Sequence, residues 1–161
     1  MTKIVCFVVT ALAGLLFPSL MCAADTVLVS HTDSWRYHKG SVAPVPTWKT
    51  NSDASLDGTW LTGNGSFGYA DNAAETNGFL TLIPDMLNSY RTFYIRKTFS
   101  VTNTVDPESH LKLSMDFDDG FIAWLDGSYL TNRFVTGAPN EPANTATANT
   151  SHESSHGNSS P

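Results

Sequence analysis

His110-Leu111-Lys112-Leu113-Ser114-Met115-Asp116-Phe117-Asp118 runs through Asp119-Gly120 into Phe121-Ile122-Ala123-Trp124-Leu125, and Asp126-Gly127 then leads on to Tyr129-Leu130. Successive side chains of an extended chain point to opposite faces. Leu111, Leu113, Met115 and Phe117 therefore share one face, and His110, Lys112, Ser114, Asp116 and Asp118 the other. This alternation predicts a strand over 110–118 with one buried and one wet side. Asp119-Gly120 and Asp126-Gly127 are turn pairs, so a meander of three consecutive antiparallel strands is expected from this stretch.

Working outward, Arg91 to Val101 alternates in the same way. Phe93, Ile95, Phe99 and Val101 are expected inward and Tyr94, Arg96, Thr98 and Ser100 outward, with Lys97 at a bulge or a rim. Val27-Leu28-Val29 with Trp35-Arg36-Tyr37, and Gly78 to Ile83, are further strand candidates. The stretch 40–77 is rich in Gly, Asn, Ser, Asp and aromatics, and is expected to supply short strands and loops over an end of the sheets. No segment between Thr26 and Thr136 keeps an apolar stripe at helical spacing. The fold class read from these patterns is all-β.

The N-terminus reads as an address. Lys3, the 14-residue apolar run Ile4 to Phe17, Pro18-Ser19 and the small-residue site Cys22-Ala23-Ala24 are the three regions of a secretory signal peptide. The run is shorter than the roughly 20 apolar residues of a bilayer crossing. Residues 1–24 are thus expected to be removed and the product to be secreted or held at the cell surface, with no membrane insertion after cleavage. Cys6 and Cys22, the chain's 2 cysteines, lie inside that leader, so a mature chain would have neither a thiol nor a disulfide. Beyond it, 25–136 is expected to form one β-sandwich domain. Gly137 to Pro161 follows, 25 residues of which 21 are Gly, Ala, Pro, Asn, Ser or Thr. Lacking large apolar side chains, it reads as a polar loop, a linker or a disordered tail.

The whole chain, 161 residues with 9 basic against 15 acidic side chains, carries a net charge of −6 and no basic run. Nucleic acid is therefore not an expected partner.

Ser34-Trp35-Arg36-Tyr37, Trp48, Asp57-Gly58-Thr59-Trp60, Gly65-Ser66-Phe67-Gly68-Tyr69, Thr92 to Phe99 and Asp118 to Gly127, in that order, resemble the galactose-binding-like jelly-roll modules of large secreted bacterial surface proteins. The resemblance covers roughly residues 26–160. It implies an antiparallel β-sandwich of jelly-roll topology, neighbouring domains, and a role in recognition or architecture outside the cell. In such modules further strands follow a loop resembling Thr150 to Pro161, so the sequence is read as possibly a fragment of a longer product. The family name denotes a fold, and many members bind no galactose.

Chemistry-bearing groups are few. Asp116, Asp118, Asp119 and Asp126 form the densest carboxylate set; Asp116 and Asp118 are the candidate ligands of a structural calcium, with solvated strand positions and turn chemistry as the plainer reading. No other cofactor is expected. His152 and His156 have an i, i+4 spacing that would suit zinc only on a helix, and their Ser/Gly/Asn-rich setting is a loop. His31 and Asp33 lack a Gly-x-Ser-x-Gly elbow to present a nucleophile. The chain is accordingly read as not an enzyme. Trp35, Tyr37, Trp48, Trp60 and Tyr69 can stack on sugar faces or plug the ends of a sandwich core. Trp60, Tyr69 and Asp119 are the candidate ligand-binding residues, for carbohydrate or another extracellular polymer. The alternatives are a purely structural packing domain with calcium in its acidic loops, and a part of a carbohydrate-active hydrolase.

Overall fold

β1 (Ser34–Lys39) is the middle strand of a three-stranded antiparallel sheet, flanked by β2 (Leu61–Asn64) and β5 (Phe93–Arg96). The computed structural model describes residues 25–70, 75–101, 110–137, 147–152 and 154. The leader expected at 1–24 and most of the polar segment 137–161, His156 included, lie outside the described residues. β3 (Phe67–Gly68) and β4 (Thr81–Leu82) form a short parallel ladder, and β6 (Phe121–Leu125) pairs with β7 (Ser128–Arg133) as an antiparallel hairpin. The remaining regular elements are 3-10 turns at Pro46–Lys49, Asp53–Ser55, Glu75–Gly78 and Pro84–Met86, and the described residues contain no α-helix. The expected all-β class holds, built from small sheets.

Strand register divides the apolar side chains between two faces. Tyr37 lies opposite Leu61 and Ile95, while its neighbour His38 lies opposite Tyr94, one step along and therefore on the other side. On the first face Tyr37, Ile83, Met86 and Tyr90 form a buried cluster, with Phe67, Phe93 and Ile95 packed against it. On the second, Trp48, Trp60 and Tyr94 form another, joined by Leu56 and Trp124. His38 is buried there too, its ring 5.3 Å from that of Trp60 and 6.0 Å from that of Tyr94.

The sheet is thus covered on both sides, which corrects the expected outward face of 91–101. Tyr94 and Arg96 do oppose Phe93 and Ile95, yet Tyr94 is only 5% exposed. The reason is the segment 46–60, which lays Trp48 and Trp60 over that face. Each such ring removes well over 100 Å² from water, worth on the order of 2–3 kcal/mol.

Two arginines pin the covering segment. Arg36 and Arg96 are direct cross-strand partners, a like-charge pair that would destabilise an open sheet. Each turns outward to a different part of the cover. Arg36 donates to the carbonyl of Trp60 and to Thr62 Oγ1, both at 2.8 Å. Arg96 donates to the carbonyl of Trp48 and pairs with Asp53 at 3.1 Å. The charge repulsion is offset by four polar contacts, three of which tie 46–60 to β1 and β5 while the fourth holds Arg36 to Thr62 of β2. Lys97, where β5 has ended, occupies a rim: its ammonium meets the carbonyl of Ser34 at 2.8 Å and Asp33 at 3.7 Å.

The strand expected at 110–118 is a correction. This segment belongs to no sheet in the structure, and Leu111, Leu113 and Met115 are 61%, 46% and 40% exposed. The three-strand meander is therefore reduced to the β6–β7 hairpin. Alternation fixes which side chains share a face, whereas a strand also needs a neighbouring backbone, and the described residues offer 110–116 none. Phe99 and Val101 likewise fall outside β5, Val101 being 47% exposed. Val27 to Val29 form no strand, and Val27 is 76% exposed.

The hairpin turn forms as expected. Leu125 pairs with Ser128, and the two residues between them have positive φ, 49° at Asp126 and 78° at Gly127. That pair of left-handed residues is the type I′ turn, whose twist matches the strands it joins. Residues 147–152, read from composition as part of a loop, linker or tail, return to the body. Val135 bridges Ala148, Asn149 N–H donates to the carbonyl of Phe134 at 2.7 Å, and the His152 ring stacks on Phe117 at 4.3 Å. An imidazole supplies the flat packing surface that this segment lacks in aliphatic residues.

Candidate functional site

The β6–β7 hairpin has two unlike faces. Phe121 and Ala123 share one with their partners Arg133 and Thr131; Ile122 and Trp124 share the other with Asn132 and Tyr129. A bulge between Ala123 and Trp124 shifts the register, leaving Leu130 as the extra residue and setting Tyr129 opposite Trp124. Trp124 is half-buried, and Trp48 meets it edge-on, the centroids 5.9 Å apart and the planes at 82°. Lys49, the residue after Trp48, holds its ammonium 4.8 Å from the centre of the Trp124 ring. Tyr129 is 43% exposed, and Asn132 Nδ2 donates to its hydroxyl at 2.6 Å.

An indole, a phenol, an amide and an ammonium are thus gathered on one strip where the hairpin meets the 46–60 cover. The rings offer apolar faces for stacking, and the polar tips supply hydrogen bonds to hydroxyl or carbonyl groups. The cation over Trp124 contributes about 0.5–1 kcal/mol at such an accessible position and orients the lysine. The tip is closely fitted: a Cβ at Gly127 would come within 2.6 Å of Thr50 Cγ2.

The residues singled out from sequence lie in separate places. Trp60 is 3% exposed, packed in the core against the sheet, and its indole N–H has no hydrogen-bonding partner among the described residues. Tyr69, 39% exposed, stands in the loop after β3. Asp119 is exposed in the turn before β6, at a φ of 57°. Its N–H donates to the carbonyl of His152 at 2.6 Å, and its Oδ1 accepts from the His152 N–H at 3.2 Å, so it fastens the 147–152 segment. Asp116 and Asp118 are exposed on the segment outside the sheets. Among the described residues no three His, Cys, Asp or Glu side chains are grouped so as to hold a metal ion. His152 is not on a helix, and its Nδ1 lies 3.0 Å from the carbonyl oxygen of Phe117.

Among the described residues, three perturbed groups lie elsewhere. Hydrogen bonds from Thr59 hold the exposed Asp57 below the usual carboxylate range, and the Lys39 ammonium, 2.8 Å away, does the same for Asp85. Burial, together with the Asp85 carboxylate, pushes the Tyr90 phenol up to about 12.

Sequence reasoning missed Lys49, Tyr129 and Asn132. Part of the signal was present: Asp126-Gly127 fixes the pairing of Leu125 with Ser128, and Trp124 alternates away from Phe121 and Ala123. The bulge that brings Tyr129 level with Trp124, and the packing of Lys49 from 75 positions earlier, were not legible there. No family model matches this chain, and no curated protein or solved structure does so either.

Proposed function

We propose that this chain is a non-catalytic recognition module of the galactose-binding-like jelly-roll kind, exported by its N-terminal leader and acting outside the cell on carbohydrate or another hydroxyl-rich polymer. The observation that carries the reading is the strip of Trp124, Tyr129, Asn132 and Lys49. Sugar rings present apolar C–H faces bordered by hydroxyls, and an exposed aromatic flanked by an amide and an ammonium complements both features. The strip sits on a hairpin with a tight, preorganised turn, and the hairpin is braced by Trp48, so little ordering entropy opposes binding. In the fuller reading, the small sheets seen here belong to a two-sheet sandwich. The neighbouring domains implied by the resemblance would supply the context in which the module works.

Affinity electrophoresis through gels containing single polysaccharides tests the binding. The native chain is expected to be retarded by at least one neutral or acidic polysaccharide, and Tyr129→Ala to lose that retardation while keeping its near-ultraviolet circular dichroism. Migration unchanged across a broad polysaccharide panel would refute the proposal. So would retardation that survives both Tyr129→Ala and Lys49→Ala.

A further inference from the structure

Tyr129 and Asn132, on the strip of the β6–β7 hairpin, are joined by a hydrogen bond that fixes what each can offer a ligand. Asn132 Nδ2 donates to the Tyr129 hydroxyl at 2.6 Å. The phenol oxygen is thereby the acceptor, and its own proton is left to donate. Accepting one hydrogen bond polarises the O–H and makes it a better donor. The amide keeps Oδ1, an acceptor, on its other arm. Apart from the bond between them, the two side chains have no hydrogen-bonding partner among the described residues. Tyr129 is 43% exposed. The bulge is what brings the pair together: residues three apart on a regular strand lie on opposite faces, but the extra residue Leu130 returns Asn132 to the face of Tyr129.

A ligand that meets both groups must accept from the phenol and donate to the amide oxygen. Sugar hydroxyls do both. Neighbouring hydroxyls of one ring satisfy the pair, one accepting the Tyr129 proton and the next donating to Asn132 Oδ1. A carboxylate or a sulfate accepts only. It would take the phenol's hydrogen bond but set its charge against Oδ1, leaving that oxygen without a donor as water is displaced, a loss of about tenfold in affinity. Charge at longer range acts in the same direction. Lys49 turns its ammonium to the Trp124 ring, 4.8 Å from its centre, and the chain as a whole is acidic, with a net charge of −6, so its overall field repels a polyanion.

Resting on the recognition reading above, we propose that the strip selects neutral polysaccharides through a pair of vicinal hydroxyls, bound across the Tyr129 O–H and Asn132 Oδ1, and discriminates against uronate and sulfate polymers. The aromatic ring contributes area to the contact, and the donor–acceptor pair decides which polymer is held.

Affinity electrophoresis of the full chain in matched gels reads the result. Gels containing starch, xylan or galactomannan are compared with gels containing pectate, alginate or carrageenan, at low salt and at about 0.5 M salt. Retardation is expected in at least one neutral gel. It should persist at high salt and vanish when the polysaccharide has been treated with periodate, which cleaves the carbon–carbon bond between vicinal hydroxyls. Tyr129→Phe keeps the ring and removes the donor; Asn132→Leu keeps the bulk and removes the acceptor. Each is expected to weaken binding about tenfold with an unchanged melting temperature. Retardation by the acidic polymers alone, or equally by acidic and neutral ones, overturns the proposal and leaves the recognition reading standing. Binding that survives periodate, or a Tyr129→Phe chain retarded like the native one, does the same. Migration unchanged in every gel removes the recognition reading itself, and the selectivity with it.

Discussion

Replacing Tyr90 by Phe removes one oxygen from the core on the first face of the sheet. Tyr90 is 9% exposed among Tyr37, Ile83 and Met86, and its hydroxyl makes no well-formed hydrogen bond. A buried hydroxyl left in that state costs roughly 1–3 kcal/mol of desolvation. Phe keeps the ring and the packing, so Tyr90→Phe is expected to be neutral or stabilising by about 1 kcal/mol near pH 7. The alkaline limb is more telling. In the unfolded chain a tyrosine ionises near pH 10, whereas burial and the Asp85 carboxylate raise this phenol to about 12 in the fold. Between those values the unfolded state has shed its proton and the native state has not. Tyr90 therefore adds no pH-dependent penalty below about pH 10 and lowers the stability of the fold progressively as pH rises toward about 12. Two units correspond to at most roughly 3 kcal/mol. Alkaline effects at groups remote from Tyr90 are common to both proteins and cancel in the difference. Urea unfolding followed by tryptophan fluorescence at several pH values measures it. The advantage of Tyr90→Phe over the native chain should grow by about 2 kcal/mol between pH 9 and pH 12. A constant difference across that range would show that the phenol ionises in the fold as it does in the unfolded chain, and a variant destabilised by more than about 1 kcal/mol near neutrality would show that the hydroxyl is satisfied, by the Asp85 carboxylate that faces it.

Two further substitutions test the packing. Trp48→Ala empties the position that touches Trp60, Tyr94 and Trp124; a loss of about 3–5 kcal/mol in thermal or urea unfolding is expected, with collapse of the near-ultraviolet dichroism. Gly127→Ala places a methyl group at a φ of 78° and 2.6 Å from Thr50 Cγ2. It should cost about 1–2 kcal/mol, while Gly58→Ala, with nothing within 4 Å of the added carbon, should change the melting temperature little.

The residues divide plainly in what could be read from them. Asp126-Gly127 specified its hairpin because a two-residue turn with both φ positive is a local matter, open to few residue types. Likewise, the alternation of 93–96 placed Phe93 and Ile95 opposite Tyr94 and Arg96, as observed. The burial of Tyr94 escaped, since it depends on a cover contributed by 46–60 and held by Arg36 and Arg96. Residues 110–118 show the reverse case: a strong strand pattern for which the described residues supply no neighbouring strand. Trp60 was chosen for its chemistry and lies in the core; Trp124, not among the chosen residues, is half-buried with its backbone opposite Tyr129.

Sequence alone determined the all-β class, the hairpin turn and the sharing of faces along 93–96, because these follow from the two-residue period of extended chain and from turn stereochemistry. Tertiary structure decided which faces are covered, which strands find partners and which aromatics reach solvent. Those outcomes rest on contacts between segments far apart in the chain, such as Arg96 with Trp48 and Lys49 with Trp124, whose free energy no local pattern records.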